Sequence, residues 1–330
     1  MNLKFNAFIL EKKEKKISRK IKKIGLDDLM PGNVLVKVAY STFNYKDGLA
    51  IDSKMPIIKR WPMIPGVDFS GIVIDSSHKK FNKNDKVLLN GWGVGEKHFG
   101  GFAQYARVNG DWLLKIPKNF DEKSSMIIGS AGYTSMLCVM KIIKNIRPKD
   151  GKILVTGSTG GVGSIAVNLL AKLNYEVVAL TKKYKKDYLK DLGAAEVLKI
   201  QDYKIEKKPL KSIKWAGAID TIGGDVLSEI LSEIKYNGVV ASTGLAKSAN
   251  LNTTVFPFIL RNISLCGIDS VYTPIKKRIM AWGLLEKYLD LSILDKMYKT
   301  YTLGDLKSLT KKILAGKISG RSIIDVNKCQ

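Results

Sequence analysis

Ile153-Leu154-Val155-Thr156-Gly157-Ser158-Thr159-Gly160-Gly161-Val162-Gly163 is the stretch on which the fold turns. Four apolar or β-branched residues read as a buried strand. The residues after the glycines, Val162, Ile165, Ala166, Leu169, Leu170 and Leu173, keep the i, i+3, i+4, i+7 spacing of one buried helix face. A glycine-rich turn joining a strand to a helix is the context in which a dinucleotide is bound. Glycines let the backbone turn sharply and approach a pyrophosphate, and the helix amino terminus offers N–H groups and partial positive charge. Ser158 stands where the common G-x-G-x-x-G form has its first glycine. Gly157 can make the turn instead, while Gly160 and Gly163 keep the close-approach positions.

Outward from this turn, strands and helices alternate. Val177 to Leu180, Glu196 to Ile200, Ala216 to Asp220, Val239 to Thr243 and Ile263 to Ile268 read as strands, and Tyr184 to Leu192 and Val226 to Ile234 as helices. Such alternation predicts a doubly wound parallel sheet with crossover helices, the Rossmann arrangement. The end of its second strand selects the nicotinamide cofactor, because NAD sites place an acidic residue there for the ribose 2′-hydroxyl. This chain has Leu180-Thr181-Lys182-Lys183 instead, a hydroxyl and two ammonium groups suited to a 2′-phosphate. NADPH is the expected cofactor, against the plainer reading of surface lysines in a lysine-rich chain.

Before residue 124 the pattern is different. Val34 to Val38, Phe69 to Ile74, Lys86 to Leu89 and Ala103 to Val108 read as short strands between turns, and helical periodicity is scarce. A long apolar helix follows at Met126 to Ile143. After Trp282 come a helix or two and a final strand, Ser322 to Val326, expected to return to the amino-terminal domain. The expected domains are therefore 1–123 with 285–330, and 124–284.

The 330 residues carry a formal net charge of +25, which invites a nucleic-acid or membrane partner. Lysines scattered along the chain without interleaved aromatics argue instead for a solvated surface. The densest run, Glu11 to Ile24, spaces Ile17, Ile21 and Ile24 with basic residues and suits a hairpin or a short amphipathic element. No uninterrupted apolar stretch approaches the roughly 20 residues of a membrane span, and no signal-peptide core precedes Glu11, so a cytoplasmic protein is expected. Cys138, Cys266 and Cys329 lack the spacing of a disulfide or zinc framework.

Several further segments resemble the medium-chain dehydrogenase/reductases, in particular their zinc-free quinone-oxidoreductase-like branch and, within it, the NADPH-dependent acrylyl-CoA reductases. They are Ser41 to Asp47 (STFNYKD), Pro65 to Gly71 (PGVDFSG), Gly91 to Gly101 (GWGVGEKHFGG), Gly129 to Thr134 (GSAGYT), Ala218 to Gly224 (AIDTIGG) and Thr253 to Asn262 (TTVFPFILRN), besides the glycine turn. Zinc-dependent relatives carry a cysteine near Asn44 to Asp47 and Gly-His-Glu where this chain has Gly66-Val67-Asp68. Both ligands are missing here, and no metal is expected. His78, in a polar turn, reads as a surface residue, and His98 either lines a pocket or makes a structural hydrogen bond.

The resemblance implies an α/β protein with a GroES-like β-rich catalytic domain and a Rossmann cofactor domain, NADPH lying in the cleft between them. It implies that Tyr45 contacts the nicotinamide end, that Thr159, Gly160, Gly161 and Val162 contact the pyrophosphate, and that Thr181, Lys182 and Lys183 contact the 2′-phosphate. Leu245, Ile259 and Ser270 would flank the nicotinamide, with core packing the alternative for the two apolar residues. Relatives carry an asparagine before the final Gly-Arg, where this chain has Ser319-Gly320-Arg321. A homodimer joined near Ile263 to Ile268 is also implied.

The implied reaction is metal-free hydride transfer to the C=C bond of a 2-enoyl thioester, acrylyl-CoA foremost. Asn44, Tyr45 and backbone N–H groups are the candidate donors to the resulting enolate oxygen. Tyr45 is either the proton donor or only a cofactor contact, with water then supplying the proton. Trp92, Phe99 and Tyr133 are candidate walls for a small acyl group. A quinone is the alternative substrate, and a nucleic-acid-binding or structural protein that retains NADPH affinity is the alternative class.

Overall fold

The computed structural model describes residues 3–14, 16–206 and 208–328, so Cys329 lies outside the described residues. In chain order, the strands β1 (Lys4–Lys13), β2 (Lys16–Gly25) and β3 (Val34–Thr42) precede helix α1 (Tyr45–Asp52). Then come β4 (Asp68–Ser76), β5 (Lys86–Asn90), β6 (Tyr105–Val108), β7 (Leu114–Lys115) and α2 (Glu122–Asn145). The alternating series is β8 (Ile153–Thr156), α3 (Gly161–Lys172), β9 (Val177–Thr181), α4 (Lys186–Asp191), β10 (Glu196–Lys199), β11 (Trp215–Asp220), α5 (Gly224–Glu233), β12 (Ile234–Ser242), α6 (Phe256–Arg261) and β13 (Ser264–Gly267). α7 (Ile275–Tyr288), α8 (Leu294–Met297), β14 (Tyr298–Tyr301), α9 (Leu306–Leu314) and β15 (Arg321–Asp325) complete the chain.

Two compact units result: Met1–Ser130 with Ser270–Ile279 and Leu294–Gln330, and Ala131–Asp269 with Met280–Ile293. The change of unit therefore falls later than the expected 123/124, and the stretch after residue 269 is shared rather than continuous. Local bonds explain the difference. Gly129, at φ +52°, interrupts α2, and the N–H of Ser130 donates to Asp68 Oδ2 at 2.7 Å, holding this end of α2 in the first unit. Arg278 ties Ser270–Ile279 to the Asn90 carbonyl at 2.5 Å. Asp290, by contrast, pairs with Lys172 at 2.8 Å and donates its N–H to Asn168 Oδ1 at 3.3 Å, inside the second unit.

The first unit is built on a sheet in the order β14-β15-β3-β4-β5-β7, with β6 also on β3. β3 shows the period of two: Val34, Val36 and Val38 are buried while Lys37 is exposed. β15 lies antiparallel to β3, with Ile323 opposite Thr42. The lysine-rich run takes the hairpin form, β1 and β2 pairing from Lys4↔Gly25 to Lys13↔Lys16. Its apolar side chains divide accordingly: Phe8 and Leu10 are buried, whereas Ile21 is 45% exposed.

The second unit is a six-stranded parallel sheet in the order β10-β9-β8-β11-β12-β13. The strand order reverses between β8 and β11, and open α/β sheets bind ligands at the carboxyl ends of the strands at such a point. α3 is buried more widely than an amphipathic helix requires, since Val167 and Asn168 are covered as well as the expected face. On that other side Asp290 donates its N–H to Asn168 and pairs with Lys172. α2 passes the length and average-hydropathy test of a membrane span, but it is interrupted at Gly129 and 78% of its most apolar window is buried inside the protein, as in a core helix.

Candidate active site

The carboxyl end of β8 opens into the glycine turn. Gly157 has φ +59°, and a Cβ there would stand 2.2 Å from Thr221 Oγ1. Gly163 needs its hydrogen for another reason: a Cβ would meet the Gly157 carbonyl oxygen at 2.5 Å, so α3 packs directly on the turn. Gly160 caps α3, and the N–H groups of Gly161, Val162 and Gly163 have no carbonyl behind them in the helix. Ser158 is wholly buried and donates to the carbonyls of Val155 at 2.6 Å and Leu180 at 3.1 Å, joining β8 to β9. A glycine there would keep the main-chain bond to the Leu180 carbonyl but lose the hydroxyl bridge to Val155.

On the far side of the reversal point, Asp220 at the end of β11 accepts from Thr156 Oγ1 at 2.7 Å and from the N–H of Gly223 at 2.8 Å. Burial raises its carboxyl above the usual range. Thr221 donates back to the Thr156 carbonyl at 2.9 Å. The loops after β8 and β11 are thereby laced into one rigid rim, and Leu245 lies beside it, its Cα 3.4 Å from where a Gly223 Cβ would be. At this rim α3 presents N–H groups uncommitted within the helix, which suit a pyrophosphate.

At the end of β9, Thr181 is 1% exposed, with its hydroxyl 3.0 Å from that of Thr159 and accepting from the Lys183 N–H at 3.2 Å. Thr181 thus braces the turn against β9, with its hydroxyl between Thr159 and the Lys183 backbone. Lys182 is exposed and Lys183 half-buried, followed closely by exposed Lys185 and Lys186. Burial and then the neighbouring Lys185 lower the Lys183 ammonium below its usual value, the mark of crowded positive charge.

In the first unit, Asn44 caps α1, and its N–H donates to Asp47 Oδ2 at 2.8 Å. Asn44 Nδ2 donates to Thr42 Oγ1 at 2.8 Å and lies 3.2 and 3.3 Å from carboxylate oxygens of Asp47 and Asp68; Oδ1 accepts from Arg321 Nη1 at 3.2 Å. Asn44 is thus drawn through Nδ2 into the Thr42, Asp47 and Asp68 cluster. It fixes the start of α1, where Tyr45 is the first residue. The Tyr45 side chain is half-buried, and its hydroxyl has no hydrogen bond among the described residues.

Beneath Asn44 lies a polar cluster that sequence reasoning missed. Thr42 Oγ1 donates to Asp68 at 2.7 Å, the Val67 N–H donates to Asp47 Oδ1 at 3.0 Å, and Arg321 Nε donates to the Ile127 carbonyl at 2.8 Å. Asp47, Asp68 and Arg321 are 1%, 0% and 3% exposed. Burial, and then the nearby Asp68, push the Asp47 carboxyl up from 3.8 to about 7. Among the described residues no three His, Cys, Asp or Glu side chains gather as a metal-binding group. The capping pattern Asn44-x-x-Asp47 was the available signal for α1.

Of the remaining expectations, Leu245 and Ile259 are 46% and 67% exposed, so neither packs in a core. Ser270 belongs to the first unit, its carbonyl accepting from Arg278 Nη2 at 3.1 Å. Tyr133 is wholly buried within α2, which makes it a core residue rather than a pocket wall. His98 places Nδ1 3.2 Å from the Phe99 carbonyl and Nε2 3.1 Å from that of Pro31, a structural role. His78 is less exposed than a surface turn implies, packing on Phe81 with Nε2 3.2 Å from Asp111.

Comparison with known proteins agrees with this architecture. Residues 30–118 match the alcohol dehydrogenase GroES-like domain and residues 161–284 the zinc-binding dehydrogenase family. The chain is 46% identical to the probable acrylyl-CoA reductase AcuI of Escherichia coli, covering 97% of this chain and 99% of that protein. It is 43% identical to the acrylyl-CoA reductase AcuI of Ruegeria pomeroyi, covering 98% and 99% respectively. The crystal structure of the YhdH oxidoreductase of Salmonella enterica in complex with NADP superposes with a TM-score of 0.95 at 45% identity, over 98% of this chain and 100% of that one. From its two domains and this likeness along nearly its whole length, the chain belongs to the medium-chain dehydrogenase/reductase family.

Proposed function

We propose that this chain is an NADPH-dependent reductase of the C=C bond of small 2-enoyl-CoA thioesters, with acrylyl-CoA its substrate and propanoyl-CoA its product. The observation that carries the reading is the near-full-length likeness to acrylyl-CoA reductases in a chain whose β9 ends on lysines instead of an acidic residue.

The chain's own groups suit the cofactor. The rim after β8 and the start of α3, Thr159 to Val162, would hold the pyrophosphate, and Lys182 and Lys183 the 2′-phosphate. Tyr45, Leu245, Ile259 and Ser270 would border the nicotinamide. Bound NADPH supplies the hydride that reduces the β-carbon of the enoyl group. The thioester oxygen gains negative charge as that happens, and donors aimed at it lower the barrier. The Tyr45 hydroxyl, uncommitted within the described residues, is the side-chain donor we assign to that oxygen. Asn44 acts through Tyr45, by fixing the first turn of α1. A proton then reaches the α-carbon from Tyr45 or from water.

The same reading takes the protein to be a cytoplasmic homodimer. β13 sits at the open edge of its sheet, and beside it Val255 and Leu260 are 65% and 56% exposed, an apolar surface that a second copy would cover. The function is tested by incubating purified protein with NADPH and acrylyl-CoA. Propanoyl-CoA must form in step with loss of NADPH absorbance. No turnover, together with RNA binding of steep salt dependence, would replace the enzyme by a binding protein.

A further inference from the structure

Arg278, near the start of α7, is 2% exposed. Its guanidinium donates to four main-chain carbonyls: Nε to Thr273 at 2.8 Å, Nη1 to Asn90 at 2.5 Å, and Nη2 to Ser270 at 3.1 Å and Val271 at 2.6 Å. Its Cζ also lies 4.5 Å from the centre of the Trp92 ring. The two segments so gripped touch directly as well. The Trp92 N–H donates to the Val271 carbonyl at 2.9 Å, and a Cβ on Gly91 would stand 2.9 Å from the Ser270 carbonyl oxygen.

Trp92 is held at φ +56° between Gly91 at +75° and Gly93 at +79°. A bulky side chain in the left-handed region is a strained arrangement that persists only where its surroundings over-determine it, and such strain collects where ligands are handled. The Trp92 indole Nε1 is buried without a hydrogen-bond partner, a second unfavourable feature of the same residue. Neither is needed to close a loop, since a small residue would turn here without strain. A planar, always-charged fork is the side chain that can hold four carbonyls and a ring face together; an ammonium has neither the geometry nor the reach.

We propose that Arg278 is a positioning residue for the reduction, locking the Asn90–Gly93 turn to the Ser270–Thr273 loop so that Trp92 forms the wall that sizes the acyl group and Ser270 stands at the nicotinamide. This rests on the functional reading above, and extends it to a residue that touches neither substrate nor cofactor.

The test uses Arg278→Lys and Trp92→Phe in the full chain, with far-ultraviolet circular dichroism checking the fold. Each variant is expected to raise KM for acrylyl-CoA by about tenfold or more with kcat changed far less, and to narrow the preference for acrylyl-CoA over crotonyl-CoA. In a third variant, Arg278→Ala, added methylguanidinium should restore part of the lost preference. A merely structural Arg278 would lower kcat through a smaller active fraction, with KM and preference unchanged, and that result overturns the proposal. NADPH affinity, read by fluorescence titration, is the second readout: Arg278→Lys should weaken it severalfold through Ser270, and unchanged affinity overturns the Ser270 half of the proposal. Wild-type protein that binds NADPH but leaves acrylyl-CoA unreduced would sink the functional reading instead, and the Arg278→Lys titration would still decide the clamp.

Discussion

Asp47 gives the site a pH dependence whose size follows from its surroundings. The carboxyl is buried under α1 beside Asp68, and burial followed by that like charge lifts it from 3.8 to about 7. A group whose folded pKa exceeds its unfolded value holds more protons when folded, so its contribution to stability is present below the unfolded value and is lost as pH rises through the folded one. The window is therefore about pH 4 to 7. At about 1.4 kcal/mol per pH unit the full loss is about 4 kcal/mol. Asp47→Asn removes the titration while keeping a carbonyl oxygen to accept from the N–H of Val67 or Asn44. Urea unfolding of both proteins at intervals from pH 4 to 8 measures the effect. The wild type should lose stability relative to the variant as pH rises, by up to about 1.4 kcal/mol per unit. Parallel curves would mean that Asp47 ionises as it does in the unfolded chain, and that the cluster beneath Asn44 does not hold a proton.

Three further outcomes follow from particular contacts. Gly157→Ala must place a Cβ 2.2 Å from Thr221 Oγ1 at a positive φ; calorimetric stability should fall by about 1–3 kcal/mol and NADPH binding should be abolished, whereas wild-type affinity would refute the account of the turn. Replacing Lys182 and Lys183 together with alanine should weaken NADPH by about tenfold to a hundredfold in a binding titration and leave NADH nearly unchanged, each lost charge-assisted bond costing about 1.5–3 kcal/mol. Glu233→Gln should destabilise the second unit by about 3 kcal/mol in chemical unfolding, because Glu233 is 0% exposed and serves Lys211, Lys214, the Tyr203 hydroxyl and the Trp215 indole N–H together.

The second unit was the more legible in sequence, because each βα step repeats one rule: an apolar run, a turn, then a helix with one apolar face. What that rule missed was polar burial. Glu229, Glu233 and Asn168 sit where helix periodicity predicts solvent, and each is buried against a partner far off in the chain. In the first unit, short strands were readable from alternation such as Val34, Val36, Val38. α1 was not, since eight residues interrupted by Gly48 carry too little periodicity, and that glycine lets Ile313 of α9 approach where a Cβ would be 2.6 Å away. The glycine turn and the lysines after β9 were visible as local motifs. Asp47, Asp68 and Arg321 come together only through the pairing of β15 with β3 and β3 with β4, so no local pattern announces them.

On the reading proposed above, the chain reduces the C=C bond of a small enoyl-CoA with NADPH. The most direct test of that reading is the set of specificity constants for acrylyl-CoA, crotonyl-CoA and a soluble quinone, measured with NADPH on the same preparation. Acrylyl-CoA should stand highest, with crotonyl-CoA about tenfold lower for its one added methyl and the quinone lower still. A quinone reduced more efficiently than acrylyl-CoA would contradict the reading.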